Sequence, residues 1–520
     1  MSPLKKKVML IRPPYVMPIG HFSAAYATPS LGMAYIAGAL RDHPHIDLIC
    51  LDCVGEKLEA YSSFGRDDLG LMVNGLTIPE IIARIPKDID VIAVSLMFSN
   101  EWIHHRQLIS AILLSFPKAK IVLGGEHASA DYAFILSEFP AIYACVLGEG
   151  EETFLDLLSS IDENISRSQI ESIAYISGES VLTKNPKRKR IKDMKNINWP
   201  DWSGVPLERY LDYGLGYNSP MGKRAMPMLA SRGCPYQCTF CSSAGMWGTN
   251  WFPRDIEDLI AEIKFYRERY KIDHIDFHDL TAVINRQWTL DFCQRLLQEG
   301  LDLTWALPAG TRSEALDEQV LRSLYESGCR RMIYAPESGD EATLKRIKKR
   351  VNLKKMNQSI KNALQIGHLV KVHIIMGLPG QTKREIFNNF VYMTKLAWFG
   401  VHDVSCFGYS PYPGTENYRE LVENKKLDRM TPEYETIIST NVYNCIKEMR
   451  SWSESIPHSW MIFITIGGSA YFYLLQFILR PLRIGVALSN ISKNRAQTTL
   501  ELTLYSFWVE SKKWFKLQSK

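Results

Sequence analysis

The chain has 520 residues, 46% apolar and 22% charged, which is the composition of a globular protein with ample core and the length of two or three domains. A formal net charge of +5 is small for this size and gives no argument for a nucleic-acid partner. Lys5, Lys6 and Lys7 precede an apolar run of only Val8 to Ile11, broken by Arg12. That run reads as a strand and not as a signal peptide, so the ten cysteines point to a reducing cytoplasm. Cys50 and Cys53, a lone C-x2-C, read as core or strand-end residues.

In residues 1–160 short apolar runs alternate with helical periodicity. Strands are predicted at 8–11, 46–51, 91–96, 121–124 and 143–147, and helices at 31–41, 78–85, 105–115, 132–139 and 151–158. Thr77 and Pro79 supply a cap and an early-turn proline for the second helix. Alternation at this spacing predicts a Rossmann-like, doubly wound parallel sheet with helices on both faces. Ligands of such sheets bind at the carboxyl ends of the strands. The loops there hold Pro13, Pro14 and Tyr15; Ser95 to Asn100; Gly124, Gly125, Glu126 and His127; and Gly148, Glu149, Gly150 and Glu151. Two are glycine-rich, which lets a large flat ligand approach the backbone. Residues 161–225 read as a linker with a small hairpin, and its basic run of Lys184, Lys187, Arg188, Lys189 and Arg190 reads as a solvated edge.

The next strand, at 227–230, delivers Cys234, Cys238 and Cys241 at C-x3-C-x2-C spacing. Thiolates are soft ligands that hold iron–sulfur clusters. Three of them can wrap one face of a [4Fe–4S] cube and leave the fourth iron open. Zinc is the weaker alternative: it needs a second ligand pair, and before Cys293 only His274 and His278, in a predicted strand, are candidates. A disulfide knot is weaker still. Gly233, Pro235 and Phe240 woven among the cysteines suggest a loop shaped around a bulky group.

Beyond it, about six β/α units follow over 226–430. Strands are predicted at 274–279, 303–307, 331–335, 370–376 and 401–407, and helices at 255–270, 290–299, 317–327, 353–366 and 383–399. Gly328, Gly367 and Gly400 stand at helix ends. Every strand end is polar or glycine-rich, and barrel active sites lie at those ends. Tyr409, Tyr412 and Tyr418 follow the last strand as pocket or core residues.

Residues 431–520 are predicted to be mainly helical. Residues 459–479 are a 21-residue stretch without formal charge, about the length needed to span a bilayer. Gly467, Gly468, Thr465, Ser469 and Gln476 dilute it, so three placements compete: a span, a helix on the membrane surface with Arg480 and Arg483 at the headgroups, and a buried helix. Trp508, Trp514, Lys512 and Lys513 suit surface attachment.

The cysteine spacing, with aromatic Phe240 before the third cysteine, resembles the radical S-adenosylmethionine (SAM) superfamily. The resemblance implies a partial (β/α)6 barrel and a [4Fe–4S] cluster on Cys234, Cys238 and Cys241. It also implies SAM chelated on the open iron and cleaved to a 5′-deoxyadenosyl radical. It puts SAM contacts at Phe240, Asp279, Arg312, Glu337, Ser338, Gly339, Gly377 and Pro379. The first domain resembles the cobalamin-binding domain that precedes many radical SAM domains, with Pro13, Tyr15, Ser95, Gly124, Gly125, His127, Gly148, Glu149 and Gly150 as its cofactor-facing residues. The D-x-H-x-x-G motif of methionine-synthase-type domains is absent, so no histidine is expected below cobalt; degenerate copies that bind nothing are the alternative. Together the resemblances imply a cobalamin-dependent methyltransferase acting on an unactivated carbon of a small-molecule or lipid substrate. An external electron donor of the flavodoxin or ferredoxin type is implied, and residues 459–483 are a candidate membrane contact. The alternatives are an anaerobic radical cyclase and, from another class, a non-catalytic iron–sulfur protein. A methylthiotransferase would need three more cluster cysteines, and Cys50, Cys53 and Cys145 do not form that set.

Overall fold

The computed structural model describes residues 5–18, 27–162, 165–178, 180–214, 222–281, 283–311, 316–441 and 449–505. In chain order the first unit comprises β1 (Lys6–Arg12), β2 (Tyr15–Pro18), α1 (Leu31–Leu40), β3 (Ile46–Asp52), β4 (Tyr61–Ser62), β5 (Leu71–Asn74), α2 (Ile78–Arg84), β6 (Val91–Ser95), α3 (Trp102–Ser115), β7 (Lys120–Gly124), α4 (Glu126–Glu138), β8 (Ala144–Val146), α5 (Glu151–Asp162), β9 (Ile173–Ile176) and β10 (Leu182–Lys184). They build a seven-stranded sheet of order β10-β9-β8-β7-β6-β1-β3. The five strands from β3 to β8 run parallel, and the linker hairpin β9–β10 adds an antiparallel edge.

β1 shows why the sheet is covered on both sides. Val8 and Leu10 pack with α1 and α5, whereas Met9 and Ile11 pack with α2, α3 and α4. Strands buried on both faces read as continuous apolar runs, and each such side chain contributes about 1.5–3 kcal/mol on burial. Two features differ from expectation. Tyr15 begins β2, which joins β5 and β4 in a small antiparallel sheet, so the first strand-end loop is shorter than it looks. α4 starts at Glu126, six residues early, because Asp131 interrupts it at φ −121°, ψ 16° and so disrupts the apolar period.

After α6 (Leu207–Tyr213) come β11 (Ala225–Met228), β12 (Ser231–Arg232), α7 (Ser243–Trp247), β13 (Phe252–Pro253), α8 (Ile256–Tyr270), β14 (His274–Phe277), α9 (Arg286–Gln298), β15 (Thr304–Ala306), α10 (Glu318–Glu326), β16 (Cys329–Glu337), α11 (Glu341–Arg346), α12 (Leu353–Ile366), β17 (Leu369–Met376), α13 (Lys383–Phe399) and β18 (Asp403–Gly408). β11, β14, β15, β16, β17 and β18 pair in that order, all parallel, into an open barrel. Its helices are closed by explicit caps, with Gly367 and Gly400 at the ends expected of them. Asp255 caps α8 through Asp258 N, Thr382 and Glu385 form a capping box on α13, and Gly367 and Gly400 close α12 and α13 in left-handed conformation.

The C-terminal part holds α14 (Glu416–Glu423), α15 (Pro432–Asn441), α16 (Met461–Leu479) and α17 (Leu482–Ser492). α16 lies along the free edge of β18: Ser469 Oγ accepts Cys406 N at 3.2 Å, and Gly468 lets Cys406 Sγ come close. Its inner face is polar where it must be. Tyr473 OH donates to Asp403 at 2.7 Å, and Gln476 donates to the carbonyls of Val401 and His402. The segment His458–Leu479 is long and apolar enough to cross a membrane by length and composition, with mean hydropathy 1.7, yet a third of it is buried against the barrel.

Candidate active site where two strand-end faces meet

The cysteine loop leaves β12, which pairs with β13. Gly233 turns the chain at φ +95°, and a Cβ there would lie 2.1 Å from Asn250 O, so only glycine fits. Cys234, Cys238 and Cys241 form no disulfide and are half-buried. Cys241 N donates to Cys238 O at 3.1 Å; Thr239 is pinned on both sides, donating to Ile347 O and accepting from Asn417 N. Phe240 packs into the cluster of Leu344, Ile347, Leu378 and Tyr409, which holds the loop on the barrel mouth. Burial pushes the Cys241 thiol up to about 11, partly opposed by its hydrogen bond to Ser243, so its thiolate needs a cation beside it. Among the described residues no three His, Cys, Asp or Glu side chains converge as a single metal ion requires.

Behind the loop, Asp279 is buried at the end of β14 and accepts from Ala230 N (2.9 Å) and from Ser231 Oγ. Burial outweighs these bonds and raises its carboxyl to about 6. Glu337 stands at φ +69° at the end of β16 and takes an ion pair from Lys349 at 3.0 Å. Ser338 Oγ and Gly339 N both donate to Asn389 Oδ1, at 2.8 and 2.7 Å. A Cβ on Gly339 would strike Tyr392 at 2.2 Å. Gly377 N donates to Gln381 Oε1 at 2.8 Å, and Pro379 follows in the same turn. All these segments sit at carboxyl ends of barrel strands. Arg312 lies outside the described residues, as do Lys512, Lys513, Trp508 and Trp514. Tyr409 is buried, and the ring of Tyr418 lies 5.9 Å from that of Tyr434, tilted by 55°.

Across from this mouth are the strand ends of the first sheet. Gly125, at φ +105°, would place a Cβ 2.4 Å from Leu96 O, whereas nothing lies within 4 Å of a Cβ on Gly124. Bare backbone thus faces open space there, a surface a flat ring can approach. Pro13 and Pro14 are buried; Tyr15 and Ser95 are half-buried. His127 is turned inward: it is 1% exposed, bonds Ser99 Oγ through Nδ1 at 2.9 Å and packs on Trp102. Burial holds its imidazole neutral, well below the usual histidine range. Cys50 is half-buried beside Arg41, and Cys53 is buried.

The two faces are joined by ion pairs. Arg232, two residues before Cys234 and buried, donates to Glu151 at 2.6 Å, lies 3.4 Å from Glu149 and stacks 4.6 Å from the ring centre of Tyr35. Arg190 grips Glu149 through two nitrogens, at 3.0 and 3.2 Å, and donates to Trp247 O and Asn250 O. Lys187 reaches Gly245 O and Met246 O. Ser242, next to Cys241, is hydrogen-bonded to the Glu126 carboxylate, and Gly148 lies under Met246 O. Glu149 is held by Arg190 and Arg232. One expectation is corrected here. The basic run is not simply a solvated edge, since Lys187 and Arg190 cap the carbonyls that end α7. Arg190 and Glu126 entered the sequence reading only as members of a basic run and a strand-end loop, and Lys349 not at all; the partners that give them and Arg232 their roles are brought together by folding.

Residues 228–391 match the family model of the radical SAM superfamily, and residues 19–158 match that of the B12 binding domain. The chain is a radical SAM enzyme with a B12-binding domain. It is 27% identical over 436 residues to an uncharacterised methyltransferase of Pyrococcus horikoshii, covering 83% of this chain and 86% of that one. It is 27% identical over 470 residues to the cytidylyl-2-hydroxyethylphosphonate methyltransferase of Streptomyces wedmorensis, with 84% and 86% covered. The anaerobic magnesium-protoporphyrin IX monomethyl ester cyclase of Rubrivivax gelatinosus is 25% identical, with 80% and 70% covered. Two solved structures share the fold. The cobalamin-dependent SAM radical enzyme OxsB has TM-score 0.62 at 16% identity over 81% of this chain; the enzyme spans only 56% of that chain. The methyltransferase TsrM of Kitasatospora setae has TM-score 0.62 at 16% identity, with 82% and 78% covered. The interface described above therefore joins the enzyme's two matched domains.

Proposed function

We propose that the enzyme transfers a methyl group to an unactivated carbon of a small molecule, with Cys234, Cys238 and Cys241 holding a [4Fe–4S] cluster at the mouth of the barrel. The observation that carries this reading is the facing of two cofactor-competent surfaces: the three-thiol loop on one side and the bare Gly124–Gly125 strand end on the other, locked together by Arg232 and Ser242. When bound, the cluster with SAM supplies a hydrogen-abstracting radical, and the corrinoid supplies a methyl group. The chain's own residues set the geometry. Asp279 fixes the entry to the cysteine loop. Glu337 to Gly339 and the turn at Gly377 and Pro379 line the barrel mouth where a SAM ligand would sit, and Phe240 anchors the loop. Gly124, Gly125 and Gly148, flanked by Pro13, Tyr15, Ser95 and Gly150, would line the corrinoid face, with His127 buried behind it against Ser99 and Trp102. An external one-electron donor of the flavodoxin or ferredoxin type completes the cycle.

The test is anaerobic turnover of reconstituted enzyme with SAM and a strong reductant. The reading expects 5′-deoxyadenosine and a product heavier by one methyl in place of one hydrogen. The relationship to the Rubrivivax cyclase favours a second reading, radical ring formation. That would yield 5′-deoxyadenosine with no methyl gained. A non-catalytic iron–sulfur protein would yield neither.

A further inference from the structure

The outer surface of the C-terminal helices differs from an ordinary solvent-facing one. Phe387 and Trp398 on α13 are 66% and 70% exposed, Phe463, Leu474 and Ile478 on α16 are 73%, 60% and 66% exposed, and Leu482, which opens α17, is 87% exposed. α13 and α16 lie side by side: the rings of Phe390 and Tyr471 are 5.4 Å apart, and Thr394 Oγ1 meets Tyr471 OH at 2.8 Å. The exposed residues therefore form one continuous face. Contiguous apolar patches of that kind mark interaction sites.

Charge says what covers it. Neither residues 386–402 nor residues 455–500 contain a single Asp or Glu. The cations within them are Lys395, Arg480, Arg483, Lys493 and Arg495. A helix that merely faces water mixes both signs on its outer side. From residue 455 to the end the sequence has eight Lys or Arg and two Glu, a net +6, which leaves −1 for the other 454 residues of a chain whose total is +5. Arg480 and Arg483 are fixed in place, donating to the carbonyls of Ala397, Trp398, Gly400 and Val401. That sets two cations beside Trp398 and Leu482.

α16 cannot leave the fold to span a bilayer without abandoning Tyr473–Asp403, the two carbonyls held by Gln476 and the edge of β18. Its outer face is free to lie on one. We propose that α13, α16 and α17 dock the enzyme on a membrane surface carrying anionic lipid, with the apolar side chains at the headgroup boundary and the cations among the phosphates. The docked face begins beside the barrel mouth, where Met461 packs on Gly377.

The test is co-sedimentation of the full-length enzyme with vesicles of phosphatidylcholine and phosphatidylglycerol, set against vesicles of phosphatidylcholine alone. The enzyme should sediment with the anionic vesicles and bind the neutral ones, or the anionic ones at high salt, at least ten-fold more weakly. Phe463→Glu combined with Leu474→Glu should cut affinity for anionic vesicles at least ten-fold, with the melting temperature and SAM cleavage unchanged. Should that variant fold poorly, Lys493→Glu and Arg495→Glu, both exposed, serve instead, each removed cation weakening binding about five-fold. No sedimentation with either vesicle, or variants that bind like the parent, would overturn the proposal. So would a dimer, dispersed by the Phe463 and Leu474 changes, in protein that ignores vesicles, because the face would then join two copies. Vesicle binding is read without turnover, so its failure leaves the methyl-transfer reading untouched.

Discussion

Arg232→Met is the most informative single change at the domain junction. Arg232 is 3% exposed, and its partners Glu151 and Glu149 are 10% and 11% exposed. Glu149 keeps Arg190 after the change, so the loss falls on Glu151, left as a buried carboxylate without a cation. Stranding one partner of a buried pair costs about 3–5 kcal/mol. In a unit of this size that lowers the transition by on the order of 10 °C. Adding Glu151→Gln should recover most of it, because the cost is the unpaired charge more than the lost attraction. Scanning calorimetry of the parent, both single variants and the double variant reads the coupling directly. The pH dependence follows from sign. Burial raises the Glu151 carboxyl, but Arg232 and backbone hydrogen bonds together outweigh it and hold it below its unfolded value, so the pair's contribution is full above the unfolded value of about 4.3 and is lost as pH falls through the folded one. The gap between parent and Arg232→Met should therefore close on acidification. A gap under 1 kcal/mol at pH 7, or no recovery in the double variant, would refute the reasoning.

Gly125→Ala forces a Cβ to within 2.4 Å of Leu96 O at φ +105°; it should leave the fold measurable by circular dichroism but abolish corrinoid retention on gel filtration. Asp279→Asn removes one acceptor from Ala230 N or Ser231 Oγ and should cost about 1–3 kcal/mol, read from urea midpoints. Because Asp279 titrates near 6 when folded and near 3.9 unfolded, its contribution is greatest below about pH 4 and declines as pH rises through 6, so the difference between parent and Asn variant should shrink in that direction. Tyr473→Phe leaves Asp403 with Thr499 and Lys371 and should cost about 1–3 kcal/mol, loosening the α16 edge in hydrogen exchange before the rest of the barrel.

The parallel sheet and the open barrel were legible because Val8 to Ile11, Val91 to Val94 and Val370 to Met376 are apolar runs bounded by glycine, proline and helix caps. β2, β4 and β5 escaped because two to four residues carry no period. The start of α4 escaped because Asp131, drawn to Arg429 at 2.8 Å, breaks the helix from 298 positions away. The same limit applies to the site. The cysteine spacing is local and was read at once; that Glu149 belongs to Arg190 and Arg232, and that His127 points inward, depends on partners brought in by folding. On α16 composition supplied length and apolarity, but only the bonds of Ser469, Tyr473 and Gln476 decide which side faces the barrel.

The central claim is a cluster held at three corners by one loop. Electron paramagnetic resonance of the reduced, anaerobically reconstituted enzyme tests it, with and without SAM, in the parent and in Cys234→Ala, Cys238→Ala and Cys241→Ala. The account predicts a [4Fe–4S] signal that changes when SAM is added and that each substitution abolishes. A signal indifferent to SAM, or one that survives loss of any of the three thiols, would contradict it.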